Sequence, residues 1–228
     1  MKAPGMKLDI NEKTSLLLGL FVAAIVASNL LGNKITHIGM DFSVAIFVFP
    51  LTFLITDIIA EVHGKKKAQE FVWIGFGAIL FVMLFTALFV ALPFAERSFV
   101  KEEYTKVFGS SLRIMVASII AFLVAQLHDV WAFEFWKKKT KGKHLWIRNN
   151  LSTIASQAID TVLFLFIAFY YLPFLPDVIN TSPKFTALYV ITLGIPYYLL
   201  KVVAAILDTP FCYWGVWWLR GKKGSRKS

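Results

Sequence analysis

Two strongly apolar segments of the chain contain the same pair of polar residues, spaced as Gln-x-x-Asp. The pairs are Gln126 with Asp129 and Gln157 with Asp160. Residues three positions apart lie on the same face of a helix, so each amide is expected beside a carboxyl group. An ionised carboxylate at the centre of a membrane span costs about 2.5–3.5 kcal/mol on insertion scales. Acids at these positions therefore indicate function more than packing.

A third apolar segment contains two further acids, Asp57 and Glu61, which are four residues apart and again share a helix face. At about 1.5 Å of rise per residue, Asp57, Asp129 and Asp160 are predicted at comparable depths, on the side where the basic loops lie. A carboxylate beside an amide can hydrogen-bond the planar donor and acceptor edge that a base or an amide presents. The pattern predicts a polar site inside the membrane and leaves its ligand open.

Each of the other polar residues in the apolar segments has two interpretations. Asp208 and Lys201 lie seven residues apart. They either form a structural ion pair that bridges to other spans or belong to the site. Ser118 and Ser152 are typical of hydrogen bonds between helices, which are worth about 0.6 kcal/mol, or they support the site. Glu61 is a site residue or a side chain that reaches towards the interface. The basic run at 137–144 is interpreted as a determinant of the membrane topology. Anionic membrane lipid is a candidate partner for this run.

The composition indicates a membrane protein. Of the 228 residues, 57% are hydrophobic and 17% are charged, whereas soluble domains carry about 25% charged residues. The net charge of +10 would suit nucleic acid, but the basic residues form short runs between apolar stretches, as they do in membrane proteins. Nucleic acid is therefore not expected as a partner. The single cysteine, Cys212, excludes an intrachain disulfide framework.

Six apolar stretches are long enough to cross the membrane, since a spanning helix needs about 20 mostly apolar residues. A single transmembrane domain is predicted over residues 1–228, with spans at 15–31, 42–62, 70–92, 112–136, 151–172 and 185–211. The first is expected to be a retained span rather than a signal peptide. The loop at 93–111 is predicted to hold a short amphipathic or re-entrant segment. The sixth run contains Pro196 and Pro210 and continues to Leu219, so its end is the least defined boundary.

The distribution of basic residues predicts the topology. Most of the 24 Lys and Arg residues fall in the N-terminal tail, the second and fourth loops and the C-terminal tail. In a chain with six spans, these four segments lie on one side of the membrane. By the positive-inside rule, both termini are expected in the cytoplasm.

Motifs of common enzymes are absent from the sequence. The chain has no Gly-x-Ser-x-Gly, His-Glu-x-x-His, P-loop or Gly-x-Gly-x-x-Gly motif. The histidines in the predicted loops are not spaced as a ligand set. We therefore predict no catalytic residue, no metal and no cofactor.

Three stretches together resemble one known family. They are FPLTFLITDIIAEVHGKKKA, RIMVASIIAFLVAQLHDVWAF and STIASQAIDTVLFLFIAF, and they resemble the YhhQ-type queuosine precursor transporters, also called the vitamin uptake transporter family. The resemblance extends from about residue 29 to residue 210. It implies an all-α bundle of six helices in the inner membrane that imports 7-cyano- or 7-aminomethyl-7-deazaguanine. It also implies an architecture similar to the substrate-binding subunits of energy-coupling-factor transporters.

The family motifs fall on particular residues of this chain. The matched positions are Asn29, Pro50, Thr56, Asp57, Gly64, Arg113, Ser118, Gln126, Asp129, Ser152, Asp160, Thr161 and Lys201. The resulting hypothesis assigns substrate binding to Asp57, Gln126, Asp129, Gln157, Asp160, Asn29 and Lys201. Support or proton coupling is assigned to Glu61, Asp208, Thr56, Ser118 and Ser152.

Two alternative functions remain open from the sequence. The first is a substrate-binding subunit that needs a separate ATP-driven module, docked on the face of the first span that carries Ala23 and Ala27. The second is a membrane-embedded, metal-dependent enzyme that acts on a lipid substrate. In the favoured hypothesis the partner is a purine-like small molecule. Whether the chain assembles into a homo-oligomer is left open.

Overall fold

The fold is known here from a computed structural model, which describes residues 8–39, 41–171 and 186–221. Within these ranges the side chains of six residues are not described: Asp41, Ser110, Ser111, Arg113, Tyr171 and Leu193. Residues 1–7 and 222–228, and the loop with Pro173, Pro183 and Lys184, lie outside the described residues. The helices are α1 Ile10–Leu31, α2 Pro50–His63, α3 Lys65–Ala91, α4 Lys101–Lys139, α5 Leu145–Phe166 and α6 Ala187–Arg220. Strands β1 Ile35–His37 and β2 Asp41–Ser43 form a short antiparallel hairpin after α1.

Six helical segments in the described ranges are long and apolar enough to cross a membrane. The second of these comprises α2 and the 3-10 turn Val44–Phe47 before it. The fifth continues from α5 into a π-helical turn, Ile167–Tyr171. These helices confirm the predicted all-α membrane bundle with six spans.

Two helices extend furthest beyond the apolar runs that predicted them. α4 begins at Lys101 and has 39 residues, so residues 101–111 extend the fourth helix and the expected separate segment in that loop is absent from the described structure. No proline interrupts the chain there, and its polar residues are compatible with a helix beyond the membrane core. α6 continues through Pro196 and Pro210 to Arg220. Each proline removes a single backbone donor, whereas ending the helix inside lipid would leave several backbone groups unpaired.

The bundle has two chemically different ends. At the basic end, α2 and α3 meet at Gly64, whose φ of 87° lies in the left-handed region that glycine tolerates. α4 and α6 also end there, and α1 and α5 begin there. At the hairpin end, α1 leads into β1 and β2, with Ile35 paired to Ser43. The names basic end and hairpin end are used below.

α2 is the central helix of the bundle. Its residues are buried continuously from Thr52 to Ala60, because α1, α3, α4 and α6 all pack around it. α5 packs against both α4 and α6. Polar side chains on α2 and on the inner face of α5 are therefore enclosed by protein rather than by lipid.

Candidate functional site

One face of α5 is polar and buried along most of its length. The buried residues on this face are Arg148, Asn149, Ser152, Thr153, Ser156, Gln157, Asp160 and Thr161. Their spacing of three and four residues places them along one side of the helix. The face begins at the basic end and continues past the middle of α5 to Thr161. It connects three polar groups, which are described in turn below.

The first group borders a cavity of about 630 Å³ at the hairpin end, which is within the usual size range of small-molecule sites. Its wall comes from α1, the hairpin, α4, α5 and α6. The lining residues with polar or aromatic character include Asn29, Phe49, Ser118, Asp160, Tyr197 and Lys201. Four of the residues predicted from the sequence therefore meet in one space.

Asp160 and Lys201 form a buried ion pair in the wall of this cavity. Lys201 Nζ donates a hydrogen bond to Asp160 Oδ2 over 2.6 Å, and the two side chains are only 4% and 7% exposed respectively. The same ammonium group lies 5.2 Å from the ring centre of Phe49 and 5.0 Å from that of Tyr197. The rings stabilise the cation, and the pair presents an acceptor and a donor side by side.

Asn29 contributes an acceptor that has no partner. Its amide nitrogen donates to the carbonyl oxygen of Ile25 over 2.9 Å. The residue is 4% exposed, and its carbonyl oxygen Oδ1 makes no hydrogen bond within the protein. A buried acceptor without a partner costs free energy, and a ligand that donates an N–H group removes this cost.

The second group lies deeper, where Asp57 of α2 faces Asp129 of α4. Both side chains are fully enclosed, with 1% and 0% exposure. Thr153 of α5 donates to Asp57 Oδ2 over 3.3 Å. The hydroxyl groups of Ser152 and Ser156 also adjoin Asp129. None of these residues belongs to the cavity wall.

Gln126 holds α4 against α2 beside this pair. Its amide nitrogen donates to Thr52 Oγ1 over 3.0 Å, and its carbonyl oxygen accepts from Thr56 Oγ1 over 3.1 Å. Both ends of the amide are thereby used within the protein. Gln157 differs, since it is 1% exposed and its Oε1 has no partner. It lies on α5 between Thr153 and Asp160.

The third group closes the basic end around Glu61. Its carboxylate accepts from Arg148 over 2.7 Å and from Arg220 over 2.9 Å, and Lys137 Nζ lies 3.2 Å away. Asp208 of α6 is partly buried and lies near Asp57. Lys201 is paired with Asp160, on another span, rather than with Asp208.

The three acids predicted at one depth do not form one set. Asp57 and Asp129 face each other, whereas Asp160 lies two turns beyond Thr153 along α5, about 10 Å away at the usual rise. Arg148, Thr153, Ser156 and Tyr197 were not singled out from the sequence. The spacing of the α5 polar face would have identified the first three, but Tyr197 is one of many aromatic residues in an apolar run.

A bundle of six spans with a polar, partly aromatic cavity between its helices defines a multi-pass membrane protein with a site for a small molecule. The sequence pattern of the family described as "Putative vitamin uptake transporter" matches residues 43–215. The chain belongs to this family, and the resemblance inferred from its motifs is confirmed. It is a transporter of the inner membrane, so the alternative of a metal-dependent enzyme is wrong.

Curated bacterial relatives cover most of the chain. A "Probable queuosine precursor transporter" of Bacillus subtilis is 28% identical over 204 residues, which are 86% of this chain and 82% of the relative. A protein of the same name from Haemophilus influenzae is 28% identical over 76% of this chain and 70% of its own length. The "Queuosine precursor transporter" of Escherichia coli is 25% identical, with 68% and 69% covered. No solved structure matches the chain.

Proposed function

We propose that this chain imports a precursor of queuosine, a 7-deazaguanine, across the inner membrane. The observation that carries the proposal is the cavity at the hairpin end, which is bordered by the Asp160–Lys201 pair and the unpartnered oxygen of Asn29. The names of the relatives support the choice of substrate class.

The chemistry of a deazaguanine edge matches these groups. The ring offers an N1–H and an exocyclic amine as adjacent donors, next to a carbonyl oxygen. The carboxylate of Asp160 accepts from both donors, while the ammonium of Lys201 donates to the carbonyl. Asn29 Oδ1 accepts from a further N–H group. The rings of Phe49 and Tyr197 supply stacking surfaces.

The charge of the cavity favours a neutral precursor. Of the described lining residues, only Asp160 and Lys201 are charged, and their charges cancel. A cationic aminomethyl group would find no net negative charge there, whereas the nitrile of 7-cyano-7-deazaguanine is neutral and accepts hydrogen bonds. We therefore propose 7-cyano-7-deazaguanine as the preferred substrate.

The proposed orientation places the basic end in the cytoplasm, with both chain termini, and the hairpin end outside. The cavity then receives substrate from outside. Transport is proposed to be driven by a coupled ion, such as a proton, because acids unrelated to the cavity wall lie enclosed between the spans.

Uptake of labelled precursor by a strain that can neither make nor import it tests the proposal. Wild-type chain is expected to restore uptake, with unlabelled 7-cyano-7-deazaguanine competing better than the aminomethyl compound. Asp160→Asn is expected to abolish uptake at equal protein level, and the exposed Glu96→Gln is the matched control. No uptake by wild type would refute the function, and normal uptake by Asp160→Asn would refute the site.

A second candidate is the substrate-binding subunit of an ATP-driven transporter. It is favoured by an apolar groove of about 550 Å³ between α1, α2 and α6, in which Ala23, Ala27 and Gly215 allow a helix to approach closely. Uptake by the purified chain in liposomes separates the two candidates. A lone transporter works without a second protein, whereas a subunit binds substrate and does not accumulate it.

A further inference from the structure

The Asp57–Asp129 pair has no role in the cavity, and its surroundings are unusual. The two carboxyl groups face each other with at most 1% exposure. Asp57 Oδ1 and both oxygens of Asp129 have no hydrogen-bond partner in good geometry, although the hydroxyl groups of Ser152, Ser156 and Thr153 lie beside Asp129. Two facing carboxylates in a dry interior repel each other strongly, because the effective dielectric constant there is far below that of water. The arrangement is stable only with positive charge at the pair.

No basic side chain of the described residues supplies that charge. Asp57 accepts only from the hydroxyl of Thr153. The hydroxyls of Ser152 and Ser156 beside Asp129 donate to backbone carbonyls of their own helix. The lone pairs of Ser152 Oγ can therefore face a cation, whereas Ser156 Oγ also lies 2.9 Å from Nδ1 of His128. The described side-chain atoms that border the pair are oxygens from α2, α4 and α5, which are the donors that a hard cation prefers.

The titratable groups around the pair come from four helices. α6 brings Asp208 and Cys212 near Asp57. On α4, the ring nitrogen Nδ1 of His128 lies 2.9 Å from Ser156 Oγ. The charged pair of Glu61 with Arg148 lies at the basic end and is internally satisfied. Asp208 adds further negative charge, which strengthens the need for a cation.

We propose that Asp57 and Asp129, with the α5 hydroxyls, bind a monovalent cation, a proton or a sodium ion, whose movement is coupled to transport. This inference rests on the proposed function and assigns the driving ion to a site separate from the substrate cavity. The link between the two is α5, on which Thr153, Gln157 and Asp160 follow at intervals of four and three residues. Loss of the cation separates α2 and α4 from each other and shifts α5, which carries Asp160 of the cavity.

Thermal unfolding in detergent tests the cation site without any substrate. A ligand that binds only the folded state raises the unfolding midpoint. The wild-type midpoint is expected to rise with lower pH, or with sodium chloride but not choline chloride at fixed pH. Asp129→Asn and Asp57→Asn are each expected to lose most of this response, while Glu96→Gln keeps it. A wild-type midpoint insensitive to both ions, or variants that respond like wild type, would overturn the proposal.

Transport in liposomes tests the coupling. Asp129→Asn is expected to bind labelled 7-cyano-7-deazaguanine with a Kd within about threefold of wild type, which is less than 1 kcal/mol. It is also expected to exchange substrate across the membrane, but not to accumulate it when a proton or sodium gradient is applied. Gradient-driven accumulation at the wild-type level, or a loss of binding as large as that of Asp160→Asn, would overturn the proposal.

The outcomes of the thermal-unfolding and transport experiments distinguish a failure of the cation site from a failure of the proposed function. If wild-type chain binds no deazaguanine, the proposed function is wrong, and the response of the midpoint to ions still decides the cation site. If binding is normal and the midpoint of Asp129→Asn and of Asp57→Asn responds like wild type, the cation site is wrong and the proposed function stands.

Discussion

Lys201 and Asp160 depend on each other because both are buried and each is the other's charged partner. Removing one partner of such a pair leaves an uncompensated charge and typically costs about 3–5 kcal/mol. Lys201→Met is therefore expected to lower the free energy of unfolding by about this amount and to abolish substrate binding. Thermal unfolding in detergent and equilibrium binding of labelled precursor measure the two effects.

A double variant separates stability from binding at this pair. Asp160→Asn with Lys201→Met removes both charges, so most of the lost stability is expected to return while substrate binding stays absent. Lys34→Met, at an exposed position near the hairpin, is the control for the same change in side chain. Stability unchanged in Lys201→Met alone would mean that the pair is not a folding contact.

The sequence predicted which polar residues are enclosed, but not which of them meet. Counting residues along a span gives the height of a side chain and says nothing of the rotation of its helix against the neighbours. Asp129 faces Asp57 of α2, while Asp160 faces Lys201 of α6, because α4 packs on α2 and α5 packs on α6. The two Gln-x-x-Asp motifs look alike in sequence. In the structure Gln126 is bound by two threonines, and Gln157 has an unpartnered oxygen.

At the level of the helices, the close packing of α6 on α2 depends on Gly215. A Cβ atom at this position would lie 2.3 Å from Cδ1 of Ile58, which is far inside van der Waals contact. Gly215→Leu is expected to force α6 away from α2 and to destabilise the protein by about 1–3 kcal/mol, the usual cost of overpacking. The unfolding midpoint in detergent measures this.

A matched glycine and a compensating change complete this test. Gly77 also lies within a helix, but a Cβ atom there meets nothing within 4 Å, so Gly77→Leu is expected to be neutral or slightly stabilising. Adding Ile58→Ala to Gly215→Leu is expected to restore part of the midpoint by making space. A midpoint of Gly215→Leu equal to that of Gly77→Leu would contradict the packing described.

The helix boundaries show which features of the fold apolar composition alone predicts. It located all six helices, since lipid requires long apolar stretches whose backbone groups are paired internally. It did not locate the start of α4 at Lys101 or the end of α6 at Arg220. These boundaries depend on the helix propensity of residues outside the membrane. The extension of α6 also reflects the low cost of a proline compared with unpaired backbone groups in lipid.

For the whole molecule, the structure combines a cavity at the hairpin end with a closed basic end. Glu61 of α2 accepts from Arg148 of α5 and Arg220 of α6, and Lys137 of α4 lies beside it. One carboxylate thus links four helices at the end opposite the cavity. Passage of a substrate to that side requires these contacts to break, so the ion pairs of Glu61 stabilise the closed conformation.

Neutralising Glu61 is expected to open the basic end, because Arg148, Lys137 and Arg220 then repel one another. The single cysteine of the chain, Cys212, reports this, since it is fully buried on α6 and lies near Glu61 and Arg148. Glu61→Gln is expected to raise the rate at which a water-soluble maleimide labels Cys212 about tenfold, equivalent to about 1.4 kcal/mol. Glu70→Gln, which breaks an exposed pair with Lys67 at the same end, is expected to leave the rate unchanged. Equal rates in both variants and wild type, with full labelling after denaturation, would show that Glu61 does not hold this end closed.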